Sequence, residues 1–248
     1  MRLSEGGVFE NMTLRTFKGG VHPSYNKDAT YAKQIKSMPS PGKVVIPLHQ
    51  HTGAPCEPIV KVGDEVKVGQ KIGDSKANLT SPIHASVSGK VKAIAKHAQL
   101  SGVDGLSIVI ESDGLDTWDE SVKPRDSVDK LGPEELIGIL REAGIVGLGG
   151  AAFPTYFKLP PPQGKAFDTL LLNGAECEPY LSADHRLMVE RPADVIAGAR
   201  LLMKAIGVER AVIGIENNKP DAISALMEAV EGDDSIKIVP LGVKYPQG

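Results

Sequence analysis

The chain has 248 residues, with 28 Lys+Arg against 31 Asp+Glu, 41% hydrophobic and only 4% aromatic residues, and 27 Gly and 18 Pro. That length suits one large or two ordinary domains with a full core, and the scarcity of rings leaves little surface on which nucleic acid stacks. Two cysteines, Cys56 and Cys177, with no C-x-x-C pair, exclude a disulfide framework and a cysteine-built metal site.

The opening residues, MRLSEGGVFEN, lack the apolar centre of a signal peptide, and nowhere does a run of ~20 apolar residues occur. A soluble chain on the cytosolic side, without direct membrane insertion, is the expectation. Residues 1–40 show no clean periodicity; Gly19-Gly20 and His22-Pro23 mark turns, so this stretch reads as an extended arm with His22 in a structural role. Residues 41–112 read as all β. The segments KVVIPL, PIVKV, EVKVGQKIG, ASVSGKVKAIA and LSIVIES are short, rich in Val and Ile, and parted by Gly-Asp, Gly-Gln and Ser-Gly turns. In PLHQHTGAP, His49 and His51 share one side of an extended segment; packing or hydrogen bonding is the expected role, with metal binding the alternative. Cys56 is expected as a small buried filler.

Residues 113–132 carry many acids without periodicity and read as a linker. From Pro133 to Gly248 the pattern alternates: a helix over Glu134–Ala143, a strand over Asp168–Asn173, a helix over 192–206, the strand RAVIGIE, a helix over 220–230 and the strand SIKIVPL. Strands and helices alternating at this spacing argue for a doubly wound α/β sheet, whose ligands lie beyond the carboxyl ends of its strands. Two of those ends are polar, Asn173 to Glu176 and Glu216 to Asn218. The charge is uneven along the chain, +5 over residues 1–112 and −8 over 113–248, which suits two domains and an acidic partner for the first.

The most informative stretch is GIVGLGGAAFPTYFKL, Gly144–Leu159. Glycines at 147, 149 and 150 let a ligand approach bare backbone, the N–H groups of Ala151–Phe153 before Pro154 are candidates to face an anion, and Lys158 lies about one turn further on. The run follows a helix and has Ala152 where a third glycine belongs, so it is not a dinucleotide fingerprint; it also lacks the Gly-Lys-Ser/Thr of a phosphate-binding P-loop. A tight, closely packed helix connection is the plainer reading.

With NGAECEP (173–179) and ADHR (183–186), the glycine stretch resembles the NADH- and flavin-binding subunit of respiratory complex I, whose glycine loop ends in G-F-P-T before a lysine and whose strand runs into N-A-D-E-S-E-P. TFKGGVHPSYNKDAT, the 45–73 segment and SPIHASVSGKV resemble more closely the C subunit of the Rnf complex, a membrane-bound ferredoxin:NAD⁺ oxidoreductase that pumps ions. This resemblance covers essentially the whole chain. It implies an α+β plan of two domains, a barrel-sandwich hybrid like those of biotinyl and lipoyl carriers followed by a Rossmann-like flavin and NADH domain.

It further implies FMN against Gly147, Gly149, Gly150, Lys158, Asn173 and Glu176, NAD(H) against Phe153 and Glu178, and no protein acid or base. Implied partners are the other subunits of the complex and an acidic ferredoxin, with the chain peripheral at the cytoplasmic face of the membrane. Leu148 and Ala175 depart from the complex I pattern, where Arg and Asp stand. The family also has a G-G-E segment just past Gly248 and later two cysteine runs for 4Fe-4S clusters, so the chain reads as a truncated piece, expected to hold FMN weakly or not at all and no cluster. The competing functions are a docking module for ferredoxin or another subunit, a cobalamin-reductase-type flavoprotein, and a group carrier using Lys76. The last lacks a carrier setting, because Lys76 stands between Ser75 and Ala77.

Overall fold

A computed structural model describes residues 14–99, 102–125 and 127–248. The chain divides into two compact units, Ser37–Pro162 and a second made of residues up to Lys36 with Gln163–Gly248. The arm residues expected at 1–13 lie outside the described residues.

The Ser37–Pro162 unit is built on seven antiparallel strands, β1 Lys43–Pro47, β2 Glu57–Pro58, β3 Glu65–Val66, β4 Lys71–Asp74, β5 Ile83–His84, β6 Gly89–Ala98 and β7 Asp104–Ser112. They form a four-stranded sheet in the order β1-β7-β6-β3 and a three-stranded sheet in the order β2-β4-β5. Val and Ile at alternating positions drive this pairing, because each strand turns one row of side chains inward. Leu48, Ile72, Val91, Ile108 and Ile110 are all but sealed from solvent and make one shared core. This is the expected barrel-sandwich plan.

The acidic stretch after β7 does not run free. Val68 N–H donates to Thr117 O and Asp119 N–H to Val68 O, each at 2.9 Å, fastening the segment to the strand region. Its acids serve as turn formers: Asp113 Oδ1 accepts from Ser88 Oγ at 2.7 Å and from Leu115 N at 2.9 Å. Helix α1, Pro133–Glu142, then starts with Pro133 in its first turn and with Glu135 accepting from the Gly132 N–H. A short helix, α2, Thr155–Lys158, closes the unit.

The second unit carries β8 Leu170–Asn173, α3 Ala183–Glu190, α4 Pro192–Ile206, β9 Ala211–Glu216, α5 Pro220–Ala229 and β10 Ile236–Leu241. The strands are parallel and lie in chain order, β8-β9-β10. Helices α3, α4 and α5 pack on one another and bury Ile196, Ile213, Ile215, Ile223, Leu226 and Ile236. The described strands therefore wind in one direction, without the reversal that a second winding adds. The face away from this core is open at β8, where Leu171 is 75% exposed.

The arm belongs to this unit. Arg15 pairs in parallel with Leu241 at the end of β10, through Arg15 N to Pro240 O (3.2 Å) and Gly242 N to Arg15 O (2.7 Å). Val21 and Tyr245 then exchange two backbone hydrogen bonds of 2.8 Å. At the end of β10 the arm thus satisfies the Pro240 carbonyl and the Gly242 N–H.

Candidate functional site

The glycine stretch leaves α1 through Gly144, whose φ of +69° places it in the left-handed region that ends helices. A methyl group here would lie 2.7 Å from the Pro82 carbonyl oxygen, so the helix end sits hard against the barrel. Two backbone hydrogen bonds then close a loop, Gly147 N to Phe153 O at 2.8 Å and Thr155 N to Ile145 O at 3.0 Å. At its tip, Gly149 and Gly150 have nothing within 4 Å of where a Cβ would stand, and Leu148 is 85% exposed. Residues Leu148–Ala151 form a turn, and among the described residues the N–H groups from Leu148 through Phe153 make no well-aligned hydrogen bond.

Lys158 completes the arrangement. A Cβ added to Gly147 would lie 3.4 Å from the Lys158 Nζ and 4.0 Å from the Phe153 N, so ammonium and amide flank the same bare Cα. The loop thus sets successive N–H groups, two left-handed residues (Gly150 at φ +98°, Ala152 at φ +46°) and an ammonium close together, the donor chemistry that suits an anion. The donors come from this loop and not from α2, which spans only four residues. Phe153 is half-buried with its ring edge-on to that of Phe157, centroids 6.0 Å apart. Thus Gly147, Gly149, Gly150, Phe153 and Lys158 are brought together within one unit.

The strand-end residues lie in the other unit. Asn173 closes β8 on the exposed side and its Oδ1 accepts from the Ala175 N at 3.0 Å, a local turn that fixes the loop's first step. Glu176 is 5% exposed, and its carboxylate is already engaged. It accepts from the N–H groups of Asp184 (2.8 Å) and His185 (3.4 Å), capping α3, whose own N-cap residue, Ser182, makes no side-chain cap. Lys27 of the arm approaches from the other side, with Nζ 2.5 Å from the Glu176 carbonyl and 3.8 Å from its carboxylate. Burial, ahead of the neighbouring Lys219 charge, pulls the Lys27 ammonium below the usual lysine range. Glu178 remains exposed, and its Oε1 accepts from the Tyr245 hydroxyl at 3.2 Å. That contact holds the Tyr245 phenol above its ordinary value.

Behind this loop a buried ion pair joins Glu216, at the carboxyl end of β9, to Lys219 at 2.6 Å. Both are almost wholly buried, and a pair at such depth needs its complementary charge in place. Glu216 to Asn218 are legible in the sequence as a polar strand end, whereas Lys219 escapes notice there. A lysine three residues after a strand-terminal glutamate was the available signal.

His49, His51 and Cys56 serve the barrel's own structure. His51 is buried, and its Nε2 accepts from the Ser81 N–H at 2.6 Å, while His49 Nε2 touches Gly53 O at 3.1 Å. Cys56 is buried and its Sγ donates to Ser81 O at 3.1 Å; burial pushes its thiol up. Among the described residues no group of three or more His, Cys, Asp or Glu is set to hold a metal ion. Lys76 is exposed in the turn between β4 and β5.

Comparison with known proteins bears on both units. Residues 15–115 match the RnfC barrel sandwich hybrid domain, and residues 140–248 match the Nuo51 FMN-binding domain. The chain is 48% identical over 238 residues to the C subunit of the Na⁺-translocating ferredoxin:NAD⁺ oxidoreductase complex of Acetobacterium woodii, covering 96% of this chain and 54% of that one. It is 49% identical over 235 residues to the proton-translocating counterpart from Clostridium ljungdahlii, covering 95% of this chain and 51% of the other. To the C subunit of the ion-translocating oxidoreductase complex of Serratia proteamaculans it is 42% identical over 245 residues, 97% of this chain and 34% of that one. The chain thus spans about half the length, or less, of these curated relatives.

Proposed function

Because the chain belongs to the family of C subunits of Rnf-type ion-translocating oxidoreductase complexes, we propose that it supplies the FMN- and NAD(H)-binding part of an electron-transport subunit. The whole protein would work between NAD(H) and ferredoxin in concert with ion translocation. Its partners would be the other subunits of the complex and a ferredoxin, and its place the cytoplasmic face of the membrane. No helix among the described residues is long and apolar enough to cross a membrane, in keeping with a peripheral position.

The observation that carries the reading is the glycine loop: N–H groups from Leu148 to Phe153 that make no well-aligned hydrogen bond among the described residues, and the Lys158 ammonium beside the bare Gly147. A phosphate monoester fits that chemistry, because its oxygens accept several hydrogen bonds and carry the charge an ammonium neutralises. Gly147, Gly149 and Gly150 leave the room a side chain would take. Phe153 is assigned to stacking on a planar ring of the dinucleotide and Glu178 to accepting from its hydroxyl or amide groups. Asn173 is assigned to the polar edge or ribityl chain of the flavin. Glu176, with its carboxylate spent on α3, is assigned to holding the 173–178 loop in shape for Asn173.

FMN, when bound, supplies hydride exchange with nicotinamide and onward transfer of single electrons. The protein's own share is position and charge. Iron–sulfur clusters do not fit the residues present, since Cys56 and Cys177 are both buried and neither has a second thiol near it in sequence.

The test is titration of FMN into the full-length gene product, followed by flavin fluorescence. Lys158→Ala is expected to weaken binding by ~10-fold or more, the worth of one charge-assisted contact. Unchanged affinity removes Lys158 from the phosphate and the reading with it.

A further inference from the structure

The loop that the sequence offered as a histidine pair has another use. In HQHTGAP, residues 49–55, both histidines precede Thr52, and the chain is fixed on both sides of that residue. On one side, the buried His51 ring accepts from the Ser81 N–H at 2.6 Å. On the other, Gly53 holds φ +120° with its bare Cα against Leu79, where a Cβ would stand 2.3 Å from the carbonyl oxygen. Ala54 N–H donates to that same Leu79 oxygen at 2.9 Å. Thr52 is thus presented by a rigid turn of the barrel.

It is aimed at the glycine loop of the same compact unit. Thr52 Oγ1 donates to Ala151 O at 2.6 Å, and Thr52 N–H donates to Ala152 O at 3.1 Å. These two bonds decide which way the loop's amides face. In a trans peptide the C=O and the following N–H point in opposite directions. With the carbonyls of 151 and 152 turned to Thr52, the N–H groups of Ala152 and Phe153 must turn away from it. The Phe153 N is the one that lies beside Gly147 and Lys158. Ala152 stays at φ +46°, a conformation that costs a residue with a Cβ, and the bond from Thr52 offsets that cost.

We propose that Thr52 is a positioning residue for phosphate recognition, setting the Ala151 and Ala152 peptide planes so that their N–H groups face the anion. The proposal rests on the assignment of the glycine loop to the FMN phosphate. It also gives the barrel-sandwich domain a part in cofactor binding, since one of its turns aims the donors of the cofactor loop.

The test compares FMN with riboflavin, which lacks the phosphate, in the full-length gene product carrying Thr52→Val, Thr52→Ser or Lys158→Ala. Thr52→Val keeps the shape and removes the hydroxyl. It is expected to raise the dissociation constant for FMN ~5- to 10-fold with that for riboflavin unchanged, the loss of one hydrogen bond's worth of aim. Thr52→Ser, which retains the hydroxyl, should restore the preference for FMN. Equal weakening of both flavins by Thr52→Val would mean general loosening and overturn the proposal, as would wild-type behaviour of Thr52→Val beside a weakened Lys158→Ala. If Lys158→Ala also leaves FMN binding intact, the phosphate assignment itself fails and the proposal falls with it. Should Thr52→Val not fold, Thr52→Ser decides alone, because loss of FMN preference with the hydroxyl in place contradicts the role given to it.

Discussion

Gly144 and Glu176 differ in how far their neighbours in sequence announce them. Gly144 follows an amphipathic run and precedes Ile145-Val146, which is enough to mark a helix end, and it adopts the left-handed backbone that such ends favour. What sequence does not carry is the Pro82 carbonyl 2.7 Å from where its side chain would start. Gly144→Ala is therefore expected to cost about 1–2 kcal/mol for the backbone alone, and more for the displaced contact. Denaturant unfolding of the variant measures this; a loss within ~0.3 kcal/mol of zero would show that the helix end is not pressed on the barrel. Glu176 is the opposite case. Its place in a strand-end loop was legible and its partner was not, because the helix it caps begins at Ala183, seven residues on, and its lysine, Lys27, is 149 positions away.

At the scale of elements, the strands and long helices follow from period and caps, and α4 falls at the expected 192–206. Helix α3 escaped because it is eight residues long, has a narrow apolar face around Met188, and borrows its cap from Glu176. The seating of α1 was also illegible. Lys71 and Asp74 of β4 meet Arg141 and Glu142 at the end of α1: Lys71 reaches Asp74 at 3.1 Å and also Glu142, and Arg141 reaches Asp74 at 3.1 Å and Glu142. For Asp74, burial acts to raise the carboxyl, but the Ser75 N–H, Lys71 and Arg141 together bring it below the usual range. Glu142 is lowered first of all by its bond to Lys71. Carboxyls depressed in the folded state add stability above their unfolded value, near pH ~4, and lose it as pH falls through the folded value. Acid unfolding should thus be steeper below about pH 4 in the wild type than in Lys71→Met. The groups are partly exposed, up to 54% for Glu142, so salt should shrink the difference, and identical slopes would mean the cluster contributes nothing.

For the whole molecule, chain order and spatial order part company. The sequence assigns +5 to residues 1–112 and −8 to the rest, but the acidic 113–132 stretch and α1 fold with the basic strands. Counted by compact unit, the net charges are −2 for residues 37–162 and −1 for residues 1–36 with 163–248. The basic excess of residues 1–112 is thus balanced, within the 37–162 unit, by the acidic stretch that folds against it. The same topology makes a prediction about the arm. A fragment of residues 163–248 should unfold at lower denaturant than the same fragment supplied with a peptide of residues 14–36, which restores the Arg15, Val21 and Lys27 contacts. No shift at saturating peptide would show that these contacts add no stability.

The arm's location also sets an order of events during translation. Phe17 and Lys244 are in contact through the Lys244 ammonium yet stand 227 positions apart. At ~5–20 residues per second, the nascent arm waits roughly 10–45 s before its partner is made. The inserted 37–162 unit has its strand partners at hand long before then. A cell making this protein therefore carries the arm undocked for that interval, and a chaperone or neighbouring chain that captures it competes directly with its docking at the end of β10.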